Sequence, residues 1–178
     1  MNNIMHISGE KEQYGVSHRN KKSLHTEAFL FYEREVFIMA EYTAVALQTV
    51  AAGADVAFTE TAVNGSNCIT HREGSGIVKL RGITNQCRAR FLVSYSGNIQ
   101  IPTGGTVGEI SLALAVDGEP LQSTRMIVTP AAAENLQNVS SQAYIDVPRC
   151  CCSTVSVMNT SSQAVEVQNS NLIVIRQA

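Results

Sequence analysis

Ten short apolar runs, each bounded by turn-forming residues, constrain the fold of this chain more than any other feature. Within a run, apolar and polar residues alternate, and a period of two sends successive side chains to opposite faces of a strand. No segment between the runs repeats apolar residues at helical spacing. The pattern predicts an all-β fold, an antiparallel β-sandwich of about ten strands. The runs cover residues 44–50, 56–63, 68–71, 76–82, 88–101, 107–116, 120–129, 142–147, 154–159 and 164–175.

Two of the turns between runs are predicted to be tight hairpins. Asp117 and Gly118 can adopt the positive φ angles of a two-residue hairpin, so the chain turns there and the return strand starts at Leu121. A second hairpin is predicted over residues 159–163, before the last run of the chain. Residues 130–135 are predicted to form a loop, with one helical turn at 131–135.

The last run is apolar on both faces of its strand. Leu172 and Val174 are predicted to face the core, and Ile173 and Ile175 then point to the opposite side. A strand with two apolar faces is expected to be covered on both. One face would contact the core and the other a neighbouring subunit.

Residues 1–38 differ in composition from the rest of the chain. They hold five of the thirteen Lys and Arg residues, five of the fifteen Asp and Glu residues and three of the four His residues. Such a segment buries too little apolar surface to offset the entropy of ordering it. We expect a disordered leader, translated from upstream of a natural start at Met39; the alternative is a genuine docking arm. No signal peptide is recognised, because the apolar run at 28–31 is too short.

Residues 39–178 are predicted to form a single jelly-roll-sized domain, too short for two separate cores. This segment holds eight basic and ten acidic residues with a single lysine, Lys79, so it lacks the basic surface that binds nucleic acid. No apolar run approaches the roughly 20 residues of a membrane span. A surface so poor in charge predicts that much of it is buried against copies of the same chain.

The five cysteines form no Cys-x-x-Cys pair and no even framework, which indicates a reducing compartment. Cys150, Cys151 and Cys152 are predicted to lie on a strand, with Cys150 and Cys152 on one face and Cys151 on the other. We expect them to be buried as small apolar groups. The alternative is a ring of Cys or His ligands around a threefold axis, since one subunit lacks a recognisable zinc ligand set.

No catalytic, cofactor-binding or metal-binding residues are predicted. His71 is the single histidine after Met39, whereas a nucleophilic triad needs a Ser, a His and a carboxylate together. The glycine-rich residues 104–108 lack the Lys and the following helix of a phosphate-binding loop. The sequence therefore argues against an enzyme, and we expect His71 to be a solvated or subunit-facing strand residue.

Basic residues are concentrated between residues 72 and 90. One interpretation is an ordinary solvated face; the other is ion pairing between subunits, with Glu73 or Glu109 as partners, or contact with an acidic glycan. Asp146 and Arg149 are expected to form a surface pair of little energetic value. The basic residues are Arg72, Lys79, Arg81, Arg88 and Arg90.

Several segments together resemble one known fold. A strand led by Gly76 precedes a longer strand that contains Tyr95, Val116-Asp117-Gly118 forms a turn, and a closing strand begins at Asn169 with Asn-Ser-Asn-Leu-Ile-Val. Spread over most of residues 54–176, these features resemble the tumour-necrosis-factor-like jelly roll. They are closer still to the globular head of complement component one-q and its bacterial relatives at exosporium and phage fibre tips. The chain has fewer aromatic residues than that family and no collagen-like stalk.

The resemblance implies a compact homotrimer that binds a surface, a receptor or a glycan. Small strand residues such as Ala89 and Ala143 would allow subunits to approach closely. The predicted subunit interface comprises Arg88, Arg90, Ala113, Ala115, Ile173 and Ile175. The predicted contact loops contain Asn64, Asn67, Thr84, Asn85, Thr103, Thr106, Glu134 and Asn135.

These observations favour a structural component of a phage or prophage virion, either a head or tail fibre tip or a decoration. The expected partners are copies of the same chain, other virion proteins and a host surface glycan or protein. No cofactor, nucleic acid or membrane insertion is expected. The alternative is an adhesion domain of the same fold on a bacterial cell or spore surface.

Overall fold

The computed structural model describes residues 38–177. These residues belong to the compact unit Phe37–Ala178. The predicted leader over residues 1–38, apart from Ile38, lies outside the described residues. In the described part of the chain, no helix has the length and apolar character that crossing a bilayer requires.

Twelve β-strands and one 3₁₀ turn, η1 (Gln122–Thr124), form the regular structure of residues 38–177. The predicted strand at 44–50 is broken after Ala44, and η1 divides the predicted strand at 120–129. Residues 131–135 contain no helical turn, in contrast to the prediction. The strands are β1 (Met39–Ala44), β2 (Gln48–Val50), β3 (Glu60–Val63), β4 (Ile69–His71), β5 (Val78–Arg81), β6 (Arg88–Gln100), β7 (Ile110–Val116), β8 (Glu119–Pro120), β9 (Met126–Val128), β10 (Gln137–Pro148), β11 (Cys152–Asn159) and β12 (Val165–Arg176).

The strands form two six-stranded sheets. The first sheet has the order β10-β6-β12-β1-β3, with β2 pairing alongside the start of β12. The second sheet has the order β4-β5-β11-β7-β8, with β9 also pairing with β7. Every registered strand pair is antiparallel. The predicted all-β antiparallel sandwich is therefore confirmed.

The core lies between the two sheets, and each long strand directs the side chains of one of its faces into it. Along β6, Phe91 and Tyr95 are fully buried while Arg90, on the alternate side, is exposed. Along β12, Leu172 and Val174 are fully buried, and Ile173 between them is only half-buried. The predicted alternation of the last strand is confirmed, because burial follows the period of two.

The hairpin predicted at Asp117 and Gly118 is present, but the prediction that the return strand starts at Leu121 is wrong, because β8 is Glu119–Pro120. Asp117 and Gly118 have φ angles of 52° and 85°, and they join β7 to β8, where Val116 lies opposite Glu119. The Asp117 carboxylate also accepts the backbone N–H of Thr154 at 2.7 Å. A residue with a short polar side chain followed by glycine is the usual solution for a turn with two positive φ angles.

The hairpin predicted over residues 159–163 is wrong. β11 pairs with β5 and β7 in the second sheet, whereas β12 pairs with β1, β2 and β6 in the first. The segment is a crossover between the sheets, and buried Asn159 holds it by donating to the carbonyls of Val50 at 3.0 Å and Gln163 at 2.9 Å. The alternating pattern on both sides of a turn fits a crossover as well as a hairpin, because both strands face the same core.

The prediction for the three consecutive cysteines is also wrong. Cys150 and Cys151 lie in the turn between β10 and β11, and only Cys152 belongs to a strand. Cys150 has a φ of 64°, and the N–H of Cys151 donates to the carbonyl of Pro148 at 3.0 Å. All three are exposed, as is Cys87, while Cys68 is buried. The strand is interrupted because the chain passes from the first sheet to the second at this point.

Candidate functional site

The outward side of the first sheet carries apolar side chains that line up across four strands. Tyr144 on β10 lies opposite Leu92 on β6, Leu92 opposite Ile175 on β12, and Ile175 opposite Met39 on β1. Cβ atoms of directly opposite residues lie about 5 Å apart, so these side chains are neighbours. Tyr144 is 66% exposed and the others are half-buried. We call these four residues the apolar row, and Ile173 extends it on β12.

A charged cluster borders the apolar row on the side where β6 begins. Asp146 lies opposite Arg90 and accepts hydrogen bonds from its Nε at 2.7 Å and its Nη2 at 2.8 Å. Arg88 Nη1 donates to the same carboxylate at 2.9 Å. The bonds from Arg90 and then from Arg88 hold the pKa of Asp146 well below its ordinary range. The predicted pair of Asp146 with Arg149 is wrong, because Arg88 and Arg90 occupy the carboxylate.

Polar side chains border the apolar row on its other side. Asn171 on β12 donates to the Glu41 carboxylate on β1 at 2.6 Å. The Asn171 Oδ1 atom is buried and finds no donor among residues 38–177. An apolar centre between polar borders is the arrangement found in protein–protein interfaces.

Four of the six residues predicted for the subunit interface lie on this outward face. Ile173 and Ile175 point outward from β12, and Arg88 and Arg90 point outward from β6. Their contact with another subunit stays a prediction.

The two alanines in the same prediction do not lie on a free surface. Ala113 and Ala115 belong to β7 in the second sheet and are fully buried within the single chain. Ala113 lies opposite Met158, and Ala115 lies between Ser156 and Pro120 on the neighbouring strands. These residues are their neighbours on the same face of the sheet. The placement of Ala113 and Ala115 in the interface is therefore wrong.

The other small residues named for close approach also face inward. Ala89 is fully buried in the core, and Ala143 is half-buried against it. Neither provides a surface for a second subunit.

The eight predicted contact residues divide between opposite ends of the sandwich. One group follows β3 and β5, at the end where β6 begins, and all its members except half-buried Thr84 are exposed. The other group follows β6 and β9, at the end where β10 begins, and all its members are exposed. The first group is Asn64, Asn67, Thr84 and Asn85, and the second is Thr103, Thr106, Glu134 and Asn135.

The second group is held together by hydrogen bonds. The Thr103 hydroxyl donates to the Glu134 carboxylate, and the Glu134 N–H donates to the carbonyl of Ile101 at 2.9 Å. The Thr106 N–H donates to the Gln163 side chain at 3.1 Å, which ties this end to the β11–β12 crossover. The loops after β6 and β9 therefore form one surface, whose role as a contact site stays a prediction.

His71 packs within the single chain. Its ring centroid lies 4.5 Å from that of Tyr42 and 6.3 Å from that of Phe58. Its Nε2 is 2.9 Å from the carbonyl oxygen of Ser75, which accepts the hydrogen bond. Burial raises the pKa of Tyr42 to about 12, so its hydroxyl stays protonated beside the imidazole. His71 is half-buried beside these rings rather than fully solvated, and a position facing another subunit stays a prediction.

Metal-ligating side chains are dispersed in this part of the chain. Among residues 38–177, no three His, Cys, Asp or Glu side chains come together in a group able to hold a metal ion.

Comparison with solved structures finds the same sandwich in several proteins. Murine APRIL matches 79% of this chain and 98% of its own, with a TM-score of 0.56 at 11% identity. The Eiger TNF from S. frugiperda matches 80% and 93%, with a TM-score of 0.57 at 14% identity. The globular domain of a zebrafish complement 1qA protein matches 80% and 98%, with a TM-score of 0.57 at 7% identity.

These likenesses establish the fold. The chain has a tumour-necrosis-factor-like, complement-one-q-like jelly-roll domain, and the resemblance inferred from the sequence is confirmed. No protein-family model and no curated protein sequence matches the chain.

Proposed function

We propose that this protein is a non-enzymatic structural and binding domain that works as a homotrimer. We place it in a phage or prophage virion, as a head or tail fibre tip or a decoration. Other virion proteins and a host surface glycan or protein are its proposed partners, reached through the loops at the two ends of the sandwich.

The apolar row is the observation that supports the trimer. Tyr144, Leu92, Ile175 and Met39 form a continuous apolar strip in which Tyr144 is exposed and the other three are half-buried. Such strips rimmed by polar residues mark association sites on soluble proteins. Tyrosine is enriched among the residues that carry most of an interface's binding energy, and Tyr144, at the β10 end of the row, is the most exposed large apolar residue of the described chain.

The sequence contributes a second argument for association. A domain of this size that stays monomeric usually carries more surface charge. Here Arg88 and Arg90 are paired with Asp146 beside the apolar row, so the border adds little net charge to oppose contact between copies. Unlike an ion pair at the centre of an interface, a pair at its edge keeps part of its hydration.

Light scattering on Ile175→Lys tests the trimer. The wild-type protein should show three times the 19.2 kDa mass of one chain. A lysine in the middle of the apolar row would place an unpaired charge in the interface, so the variant should run as a monomer, with association weakened by more than about a hundredfold.

Ile127→Lys is the matched control. Ile127 lies on β9 in the second sheet and is 50% exposed, so a lysine there changes the same charge without touching the apolar row. It should leave the mass unchanged. A monomeric wild-type protein at micromolar concentration, or equal dissociation of both variants, contradicts the proposed trimer.

Mass spectrometry of purified particles tests the location. The proposal expects the chain in gradient-purified virions, in copy numbers that are multiples of three. Detection on washed cell or spore surfaces, together with absence from virions, would favour the bacterial adhesion domain instead.

A further inference from the structure

A cleft of about 380 Å³ opens on the outward side of the second sheet. Val155 and Val157 of β11 face the core, so Met158 points outward into this region. The cleft lies between the segment after the β7–β8 hairpin and the β11–β12 crossover. Its volume falls within the range of about 300–1,000 Å³ typical of small-ligand sites. Its main lining residues are Gly53, Pro120, Gln122, Arg125, Met158 and Thr160.

Arg125 is the cation of this cleft, and its charge is incompletely compensated. Its Nη2 donates to Ser111 Oγ at 3.0 Å and lies 3.4 Å from Glu109 Oε1. The Glu109 side chain is 57% exposed, so water weakens this ion pair. The Arg125 Nε is buried and has no acceptor among the described residues. The Arg125 side chain as a whole is 31% exposed, so part of it is open to a ligand in the cleft.

The other walls combine a free amide, fixed hydroxyls and apolar surface. Gln122 is exposed, and its carboxamide bonds to no described residue. Thr160 Oγ1 lies 2.8 Å from Ser111 Oγ, which fixes the hydroxyl side of the cleft next to Arg125. Pro120 and Met158 provide the apolar part. An arginine with a neighbouring amide suits a carboxylate, and the apolar wall suits the C–H face of a ring.

We propose that this cleft binds a sugar acid, with the carboxylate of the sugar on Arg125 and Gln122. The sugar ring would lie against Pro120 and Met158, and its hydroxyl groups would reach the side of the cleft formed by Thr160. A hexuronic or sialic acid unit at the end of a surface glycan has this combination of groups.

The proposal rests on the binding role proposed above and gives that role a ligand class. The cleft lies on the second sheet, whereas the apolar row lies on the first, so a trimer built through the apolar row leaves the cleft open. Assembly and ligand binding can therefore be measured separately. The Ile175→Lys variant should bind the sugar acid even when it is monomeric.

Titration of the ¹⁵N-labelled full chain with sodium glucuronate, followed by amide chemical shifts, tests the site. Saturable shifts are expected at Gly53, Gln122 and Thr160. Glucose, which lacks the carboxylate, should produce none, and acetylglycine, which lacks the sugar ring, should bind more weakly than glucuronate. If glucose binds as tightly as glucuronate, Arg125 does not have the proposed role. If acetylglycine binds as tightly as glucuronate, the site does not recognise the sugar ring. An absence of shifts with millimolar glucuronate overturns the site itself.

Arg125→Gln should weaken glucuronate binding by about tenfold or more, since a charged hydrogen bond is lost. Arg125→Lys keeps the positive charge but lacks the planar guanidinium fork. Its affinity for glucuronate should therefore lie between those of the wild-type protein and Arg125→Gln. Arg72→Gln, which removes an exposed arginine outside the cleft, is the matched control. Equal affinities of Arg125→Gln, Arg125→Lys and the control would overturn the proposal, and the preserved amide spectrum of each variant shows that it is folded.

Discussion

The outward faces of the two sheets differ in how the single chain completes them. On the first sheet, Leu92 and Ile175 lie half-buried in an apolar strip that ends at the exposed Tyr144. On the second sheet, Ala113 and Ala115 also lie on the outward side of their strand, yet both are fully buried. The area around Ala113 and Ala115 is closed within the chain, whereas the first sheet leaves Tyr144 66% exposed; we refer to these areas as the closed face and the open face. The difference shows that strand alternation alone does not reveal which face of a sandwich is free.

The carboxylates on the two faces show the same contrast. Asp146 on the first face is solvated and accepts three hydrogen bonds from two arginines. Asp55 on the second face lies opposite Met158 and has one oxygen that is buried without a partner among residues 38–177. Burial raises the pKa of Asp55, although a hydrogen bond with Ser156 opposes this shift, whereas the arginines lower the pKa of Asp146. The surroundings of Asp55 on the closed face therefore destabilise its ionised form, whereas the arginines on the open face stabilise the ionised form of Asp146.

Overpacking the closed face should produce the largest effect. Ala113→Leu adds volume where the side chain has no free surface, so the free energy of unfolding should fall by about 1–3 kcal/mol. Ala62→Leu on β3, an exposed alanine, is the control and should change it by less than about 0.5 kcal/mol. Urea denaturation followed by circular dichroism measures both, and similar losses would mean that the second face is not closed.

Neutralising the half-buried carboxylate of Asp55 should have an intermediate and stabilising effect. At pH 7 the native state holds Asp55 ionised at a cost, so Asp55→Asn should raise the melting temperature. The unfolded pKa lies near 3.8 and the folded pKa lies above it, so the gain should be full above the folded value and vanish as the pH falls to 3.8. Melting curves across this range test the sign. A gain that grows on acidification would contradict the assignment.

Neutralising the paired carboxylate of Asp146 should have the smallest effect on the melting temperature, and it should lower it. Asp146→Asn should lower the melting temperature slightly at pH 7, because a lowered folded pKa contributes stability that is present above the unfolded value. The loss should diminish with added salt and again as the pH falls below the unfolded pKa. A loss that is insensitive to salt would indicate that the charged cluster is buried, contrary to the exposure of Arg88 and Arg90.

The strands were predictable because each long strand of a sandwich alternates buried and outward side chains. The run at 88–101, for example, corresponds to β6 (Arg88–Gln100). The sheet to which a strand belongs was not predictable in the same way. Residues 159–163 separate two alternating runs, and only the pairing of β11 with β7 and of β12 with β6 distinguishes a crossover from a hairpin.

Residues of the candidate sites were predictable only where the pattern of a single strand identifies them. Ile173 and Ile175 could be identified because β12 is apolar on both faces. Tyr144 and Leu92 join them through strand register, which no local pattern contains. Arg125 was missed for a similar reason, because its cleft joins the segment around η1 to a distant crossover. Cys150, Cys151 and Cys152 were wrongly predicted to be buried on a strand. That prediction used the general tendency of cysteine to be buried, which does not apply where the chain forms an exposed turn.

The first and last strands lie side by side, with Met39 opposite Ile175, and the Arg176 N–H donates to the carbonyl of Ile38 at 2.8 Å. Residues 38 and 177 are therefore adjacent, at the same end of the molecule as the start of β6. The loop surface of Thr103 and Glu134 lies at the far end of that thirteen-residue strand, roughly 40 Å away. A tether attached beside residue 38 or residue 177 would hold this loop surface outward, so peptides grafted between residues 103 and 106 would be displayed away from the anchor.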